Sequence, residues 1–184
     1  MAKIYGIQVK ALKMWEGRDG YGTAANIYID NKKVGTFYDD GNGGMPDIIF
    51  NEDKYYDVLK ERASKYFKKY PPAFGDEALA KLKVGETLEK KYDFCYDMTA
   101  FMEEIIKLHQ REKAFKNIVK KGCPFLLCSD YPFLASGPHP IPEYLGWHGD
   151  DADKIANMWI KAKKKQYPHL IVDIYRSLDD FIIE

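Results

Sequence analysis

Four side chains in one stretch of the chain are of the types that hold a metal ion: Asp130, His139, His148 and Asp150, with Asp151 beside the last. Two imidazoles and two carboxylates suit zinc or a harder cation where the fold brings them together. A metal-bound water would then make the chain a nuclease or hydrolase. Their spacing matches no compact metal motif. The alternative is a set of polar loop residues that satisfy backbone groups and cap a helix. The thiols offer less. Cys95, Cys123 and Cys128 stand in no nucleophile context such as G-x-S-x-G, and they read as packing on a helix face and in a buried strand.

Phosphate chemistry has two candidate locations. The first is Gly41-Asn42-Gly43-Gly44, where three glycines in four residues call for unusual backbone torsions or a close approach to the backbone. It lacks the Lys-Ser/Thr of a P-loop, and Asp39 and Asp40 before it repel phosphate. It reads as a turn, with Tyr38, Asp39 and Asp40 as contacts for a basic partner. Trp15 and Arg18, in an earlier glycine-rich loop, join them as candidate contacts. The second location is a set of lysines. Lys161, Lys163, Lys164 and Lys165 end one helix; Lys60, Arg62, Lys65, Lys68 and Lys69 lie among tyrosines on another. Such residues are commonly dipole partners on solvated faces. Clustered in space, they make a surface for a phosphate backbone, with tyrosine for stacking.

These residues need elements to position them. Residues 3–14 alternate and predict a strand; 15–22 predict a loop; 24–30 and 34–38 predict a hairpin around Asn31-Lys32-Lys33. A short strand at 47–50 completes an antiparallel meander over 1–50. Tyr55, Val58, Leu59, Ala63, Tyr66 and Phe67 recur at helical spacing over 53–70, with Asn51 as N-cap and Pro71-Pro72 as the stop. A short helix at 76–83 and a long one at about 93–121 make residues 51–122 mainly helical. Residues 123–184 read as mixed: a buried strand at 123–128, a proline-rich irregular segment over 129–147, a helix to about 166 and a strand at 170–175. That helix puts Ile155, Met158, Trp159 and Ala162 on one face. The expected fold is α+β, one domain over 1–184, with the C-terminal strand–helix–strand adding to one sheet.

The totals narrow the function classes. The chain has 184 residues, 46% hydrophobic, which is a globular composition with room for a core. Lysine plus arginine and aspartate plus glutamate both number 28, so neither a strongly acidic DNA mimic nor a general nucleic-acid coat fits. Three cysteines, an odd and sparse set, suit reduced thiols in a cytoplasm. There is no secretory leader pattern at Met1–Gly6 and no run of apolar residues long enough to span a membrane. Fourteen tyrosines favour either a Tyr-rich sheet and core or a binding surface.

Three segments carry a resemblance: W-E-G-R-D-G-Y-G (Trp15 to Gly22), I-D-N-K-K-V-G (Ile29 to Gly35) and Y-D-D-G-N-G-G (Tyr38 to Gly44). With the size and texture of the chain, they resemble small proteins carried by phages and mobile elements of gut Firmicutes, and more narrowly the type II-A anti-CRISPR proteins that inhibit Cas9. The resemblance implies inhibition by binding Cas9 or its complex with guide RNA or target DNA, in a bacterial cytoplasm, without a cofactor or a membrane. It assigns no residue a role. The residues themselves leave two rivals: a metal-dependent hydrolase using Asp130, His139, His148 and Asp150, and a nucleic-acid-binding regulator using Lys161, Lys163, Lys164 and Lys165.

Overall fold

The computed structural model describes residues 1–70, 98–120, 125–130, 143–166 and 171–184. The fold is α+β, with an antiparallel meander at the N-terminus and strand–helix–strand at the C-terminus. The chain forms two compact units: Met1–His109 with Ile182–Glu184, and Gln110–Phe181.

In the first unit, strands β1 (Lys3–Ile4), β2 (Ile7–Glu16), β3 (Tyr21–Ile29), β4 (Lys32–Asp39) and β5 (Asp47–Phe50) lie side by side in chain order. A last strand, Ile182–Ile183, pairs parallel to β1 and completes six. The single strand expected over 3–14 is broken. Tyr5 (φ +47°) and Gly6 (φ +75°) fold back, so that Ile4 pairs with Ile7. The turn is fixed from both sides: Tyr5 N donates to Ile183 O (2.7 Å), and Gly6 O accepts from Asp30 N (3.0 Å). The β3–β4 turn centres on Asp30 and Asn31, both at positive φ, as a two-residue hairpin turn requires. Lys32 and Lys33, expected in that turn, belong to β4.

Alternation sorts the sheet into two faces. Ile7, Val9, Ala25, Ile27, Ile29 and Phe37 are buried on one face. Helix α1 (Lys54–Lys69) supplies Leu59, Ala63 and Phe67, also buried, from positions four residues apart. Its N-cap is Asp53, not Asn51. The Asn51 amide donates to Val34 O, which keeps that residue in the sheet margin. Helix α2 (Met98–Val119) brings Phe101 to within 5.5 Å of the Tyr66 ring and 6.4 Å of Phe67. The boundary between the units falls in α2, at His109–Gln110.

In the second unit, β6 (Phe125–Asp130) is the centre of a three-stranded antiparallel sheet, between β7 (Glu143–Trp147) and β8 (Ile171–Tyr175). This sheet is separate from the first, contrary to the expectation of one sheet. β7 also replaces the last part of the expected irregular segment. Helix α3 (Ala152–Gln166) packs Ala152 and Ala156 against Trp147 and Ile174. Of the expected inner face, Trp159 is half-buried with its ring 5.9 Å from Trp147, whereas Met158 is 65% exposed and Ile155 is exposed as well. The helix is rotated so that its smallest side chains meet the bulky Trp147. A 3-10 turn at Leu178–Phe181 buries Phe181, stacked on Tyr175 at 4.4 Å. Arg111 on α2 bridges Asp173 and the Tyr175 hydroxyl, each at 2.9 Å. The expected helix at 76–83, the proline stop at 71–72, Cys95, Cys123 and His139 lie outside the described residues.

Candidate functional site

Two glycine-rich loops meet at one end of the first sheet. One is the β2–β3 connection, residues 17–20; the other is the β4–β5 connection, residues 40–46. Neither loop is wide enough to build a core, so the backbone polar groups must find partners locally. Gly17 N donates to Gly20 O within the first loop (2.7 Å). Asp39 Oδ1 accepts from Gly41 N and Asp40 Oδ1 from Asn42 N, both at 2.8 Å. These are two consecutive Asx turns, in which a short carboxylate substitutes for a backbone acceptor.

The loops are then joined to each other. Asp19 N donates to Gly41 O (2.9 Å), and Arg18 N donates to Asn42 Oδ1 (3.3 Å). The Arg18 guanidinium donates to Asp19 Oδ2 from Nε (3.0 Å) and Nη2 (2.8 Å), and reaches Asn42 O at 3.3 Å. Gly41 is at φ +74°, and a Cβ there would meet Gly22 N at 2.5 Å. Only glycine permits that approach. The two loops thus form one hydrogen-bonded apex.

Below the apex, the outer face of the sheet carries aromatic rings. Trp15 pairs with Gly22 and lies across it, where a Cβ would collide with the indole. The Trp15 and Tyr38 rings are 5.7 Å apart, tilted by 35°. Further along the same face, Lys10 Nζ sits 4.3 Å from the centre of the Tyr28 ring. Tyr21 is 69% exposed and Met45 80% exposed at the apex, and Tyr38 and Ile49 are exposed beside them. Apolar and aromatic side chains held on a hydrogen-bonded frame are what a protein-binding hot spot needs, because little side-chain or loop freedom remains to be lost.

The structure therefore brings Trp15, Arg18, Tyr38, Asp39 and Asp40 together. It gives them different work. Trp15 and Tyr38 present rings; Arg18, Asp39 and Asp40 hold the loops. Tyr21 and Met45 were not singled out in the sequence, although a tyrosine between two glycines and a methionine after a glycine pair mark exposed loop positions. Lys161, Lys163, Lys164 and Lys165 belong to the other unit, at the end of α3, where Lys163 Nζ lies 5.5 Å from the Trp159 ring. The Trp159 ring lies 5.9 Å from Trp147.

For the metal set, Asp130 ends β6, His148 and Asp150 are exposed after β7, and His139 is outside the described residues. Among the described residues, no three His, Cys, Asp or Glu side chains group as metal ligands. Among the same residues, no helix is long and apolar enough to cross a membrane.

The shifted ionisations lie at the opposite end of the sheet. The hydrogen bond from Arg62 holds the Asp30 carboxyl below its ordinary value, against a smaller opposing effect of burial. The hydrogen bond to the Tyr55 hydroxyl raises the Lys32 ammonium, and the Lys54–Glu52 hydrogen bond raises Lys54 and lowers Glu52. Asp30 thus ties the β3–β4 turn to Arg62 in the middle of α1, and Lys32, Glu52 and Lys54 tie it to the start of the helix. Compared with protein families, curated proteins and solved structures, the chain matches none.

Proposed function

We propose that this protein is an inhibitor of Cas9, of the type II-A anti-CRISPR class, acting by binding and not by catalysis. It engages the nuclease or its complex with guide RNA or target DNA and blocks DNA recognition or cleavage. The setting is the cytoplasm of a bacterial host, and the interaction uses no cofactor. The observation that carries this reading is the docking of the 17–20 and 40–46 loops through Asp19 N and Gly41 O. Two of the three segments that resemble such inhibitors meet in that apex, and it displays Tyr21, Tyr38 and Met45 as anchors, with the half-buried Trp15 against Tyr38. The balanced charge of the chain favours aromatic and loop contacts over mimicry of PAM DNA.

The test is capture of Cas9 by the immobilised protein, with and without guide RNA, followed by a DNA-cleavage assay. Retention of Cas9 and loss of cleavage are expected. Association in neither state defeats the proposal.

A further inference from the structure

The second place where the structure gathers unusual chemistry is a concavity in the first unit, away from the loop apex. It is open, about 580 Å³ in volume, and lined by Tyr5, Glu61, Ser64, Lys65, Lys68 and Lys69. Ser64 and Lys65 follow Glu61 by three and four residues, and Lys68 follows Lys65 by three, so they form one stripe of α1. Leu59, Ala63 and Phe67 occupy the buried side of the helix. The stripe therefore faces solvent, across from the Tyr5 turn.

The Tyr5 wall is fixed. Its backbone is in the left-handed region, which a bulky residue adopts only when its surroundings impose it. Ile183 O accepts from Tyr5 N, and Arg62 Nη1 donates to Tyr5 O at 2.7 Å. Arg62 is in turn paired with Asp30 at 2.8 Å. The lysines opposite are poorly neutralised. Lys65 Nζ rests 4.1 Å from the centre of the Tyr5 ring, and Lys69 Nζ lies 3.4 Å from the Glu184 carbonyl and 5.4 Å from the centre of the Tyr70 ring. Among the described residues, neither Lys65 nor Lys68 has an ion-pair partner. Three ammonium groups thus share the concavity with one carboxylate, Glu61. The Ser64 and Tyr5 hydroxyls add donors.

We propose that this concavity binds a phosphate group. The lysines act as point charges and the hydroxyls as directional donors. The phosphate comes from a nucleic-acid backbone or from a free nucleotide. The inference stands apart from the Cas9 proposal, since it needs only the geometry of α1 and the Tyr5 turn.

Binding is measured with inorganic phosphate, ATP and a short single-stranded DNA, each over a series of salt concentrations. Expected is binding that Lys65→Ala/Lys68→Ala weakens by about tenfold or more, with a salt slope for single-stranded DNA lower by about 1.4. Lys33→Ala/Lys113→Ala, at two exposed lysines outside the concavity, serves as the charge-matched control and leaves binding unchanged. Binding of DNA alone identifies the backbone as the source; binding of ATP or phosphate as well identifies the free group. The affected lysines are exposed, and far-UV circular dichroism checks that both variants fold. No binding of any probe, or affinities that Lys65→Ala/Lys68→Ala leaves unchanged, overturns the proposal.

Discussion

The Trp15 and Tyr38 rings approach to 5.7 Å on the outer face of the sheet, with Gly22 beneath the indole. Trp15 is the next-to-last residue of β2 and Tyr38 of β4, so their contact spans the strand between them and ties the two loop-bearing hairpins together. A double-mutant cycle with Trp15→Ala and Tyr38→Ala should give a coupling of about 0.5 kcal/mol in urea unfolding, the range of tilted aromatic pairs that remain partly solvated. Additive single effects would show that the rings are neighbours without interaction.

Gly41→Ala should destabilise the protein by about 1–3 kcal/mol, since φ +74° and the approach to Gly22 N are both closed to a side chain. Gly44→Ala is the control. A Cβ there meets nothing within 4 Å, and the expected change is within about 0.5 kcal/mol. Equal midpoints for both variants in urea would contradict the docked loops.

Asp30→Asn isolates a charge effect, because asparagine accepts the left-handed turn conformation as readily as aspartate. The Arg62 hydrogen bond lowers the Asp30 folded-state value. The contribution is therefore present above the unfolded value of about 3.9, and is lost as pH falls through the lower folded value. Asp30 is largely exposed, so screening limits the effect to about 1 kcal/mol or less. Wild type should exceed Asp30→Asn in stability near neutral pH and converge with it in strong acid. The gap should shrink at about 1 M salt. A gap that persists in acid would mean that the charge is irrelevant.

Phe181→Ala should cost about 3–5 kcal/mol, since the ring is fully buried between Tyr175 and Phe115. Thermal unfolding reads this directly. A loss below about 1 kcal/mol would mean that the site collapses around the deletion.

Local signals made most of the fold legible. Alternation marked the meander, and apolar spacing marked α1 and α3. The failures have separate causes. The break at Tyr5-Gly6 interrupts an unbroken alternation, and only the long-range bonds to Ile183 and Arg62 reveal it. β7 follows a proline-rich run, and proline is tolerated just before a strand as well as in a loop. The α3 face was right for Trp159 and wrong for Ile155, Met158 and Ala162: all four fit the helical template, whereas close packing on Trp147 selects Ala152, Ala156 and Trp159. In the apex, Asp39 and Asp40 two residues before Gly41 and Asn42 were readable as Asx turns. The docking of one loop on the other was not. It is made by backbone groups 22 residues apart, Asp19 N and Gly41 O, which leave no side-chain pattern.

The central claim is that the apex binds Cas9, and capture of purified Cas9 tests it most directly. Wild-type protein and a Trp15→Ala/Tyr21→Ala/Tyr38→Ala variant are immobilised side by side and exposed to Cas9 with and without guide RNA. The wild type should retain Cas9 in at least one state, and the folded variant should lose at least tenfold in affinity, about 1.4 kcal/mol. Failure of the wild type to retain Cas9 in either state, or equal retention by the variant, would contradict it.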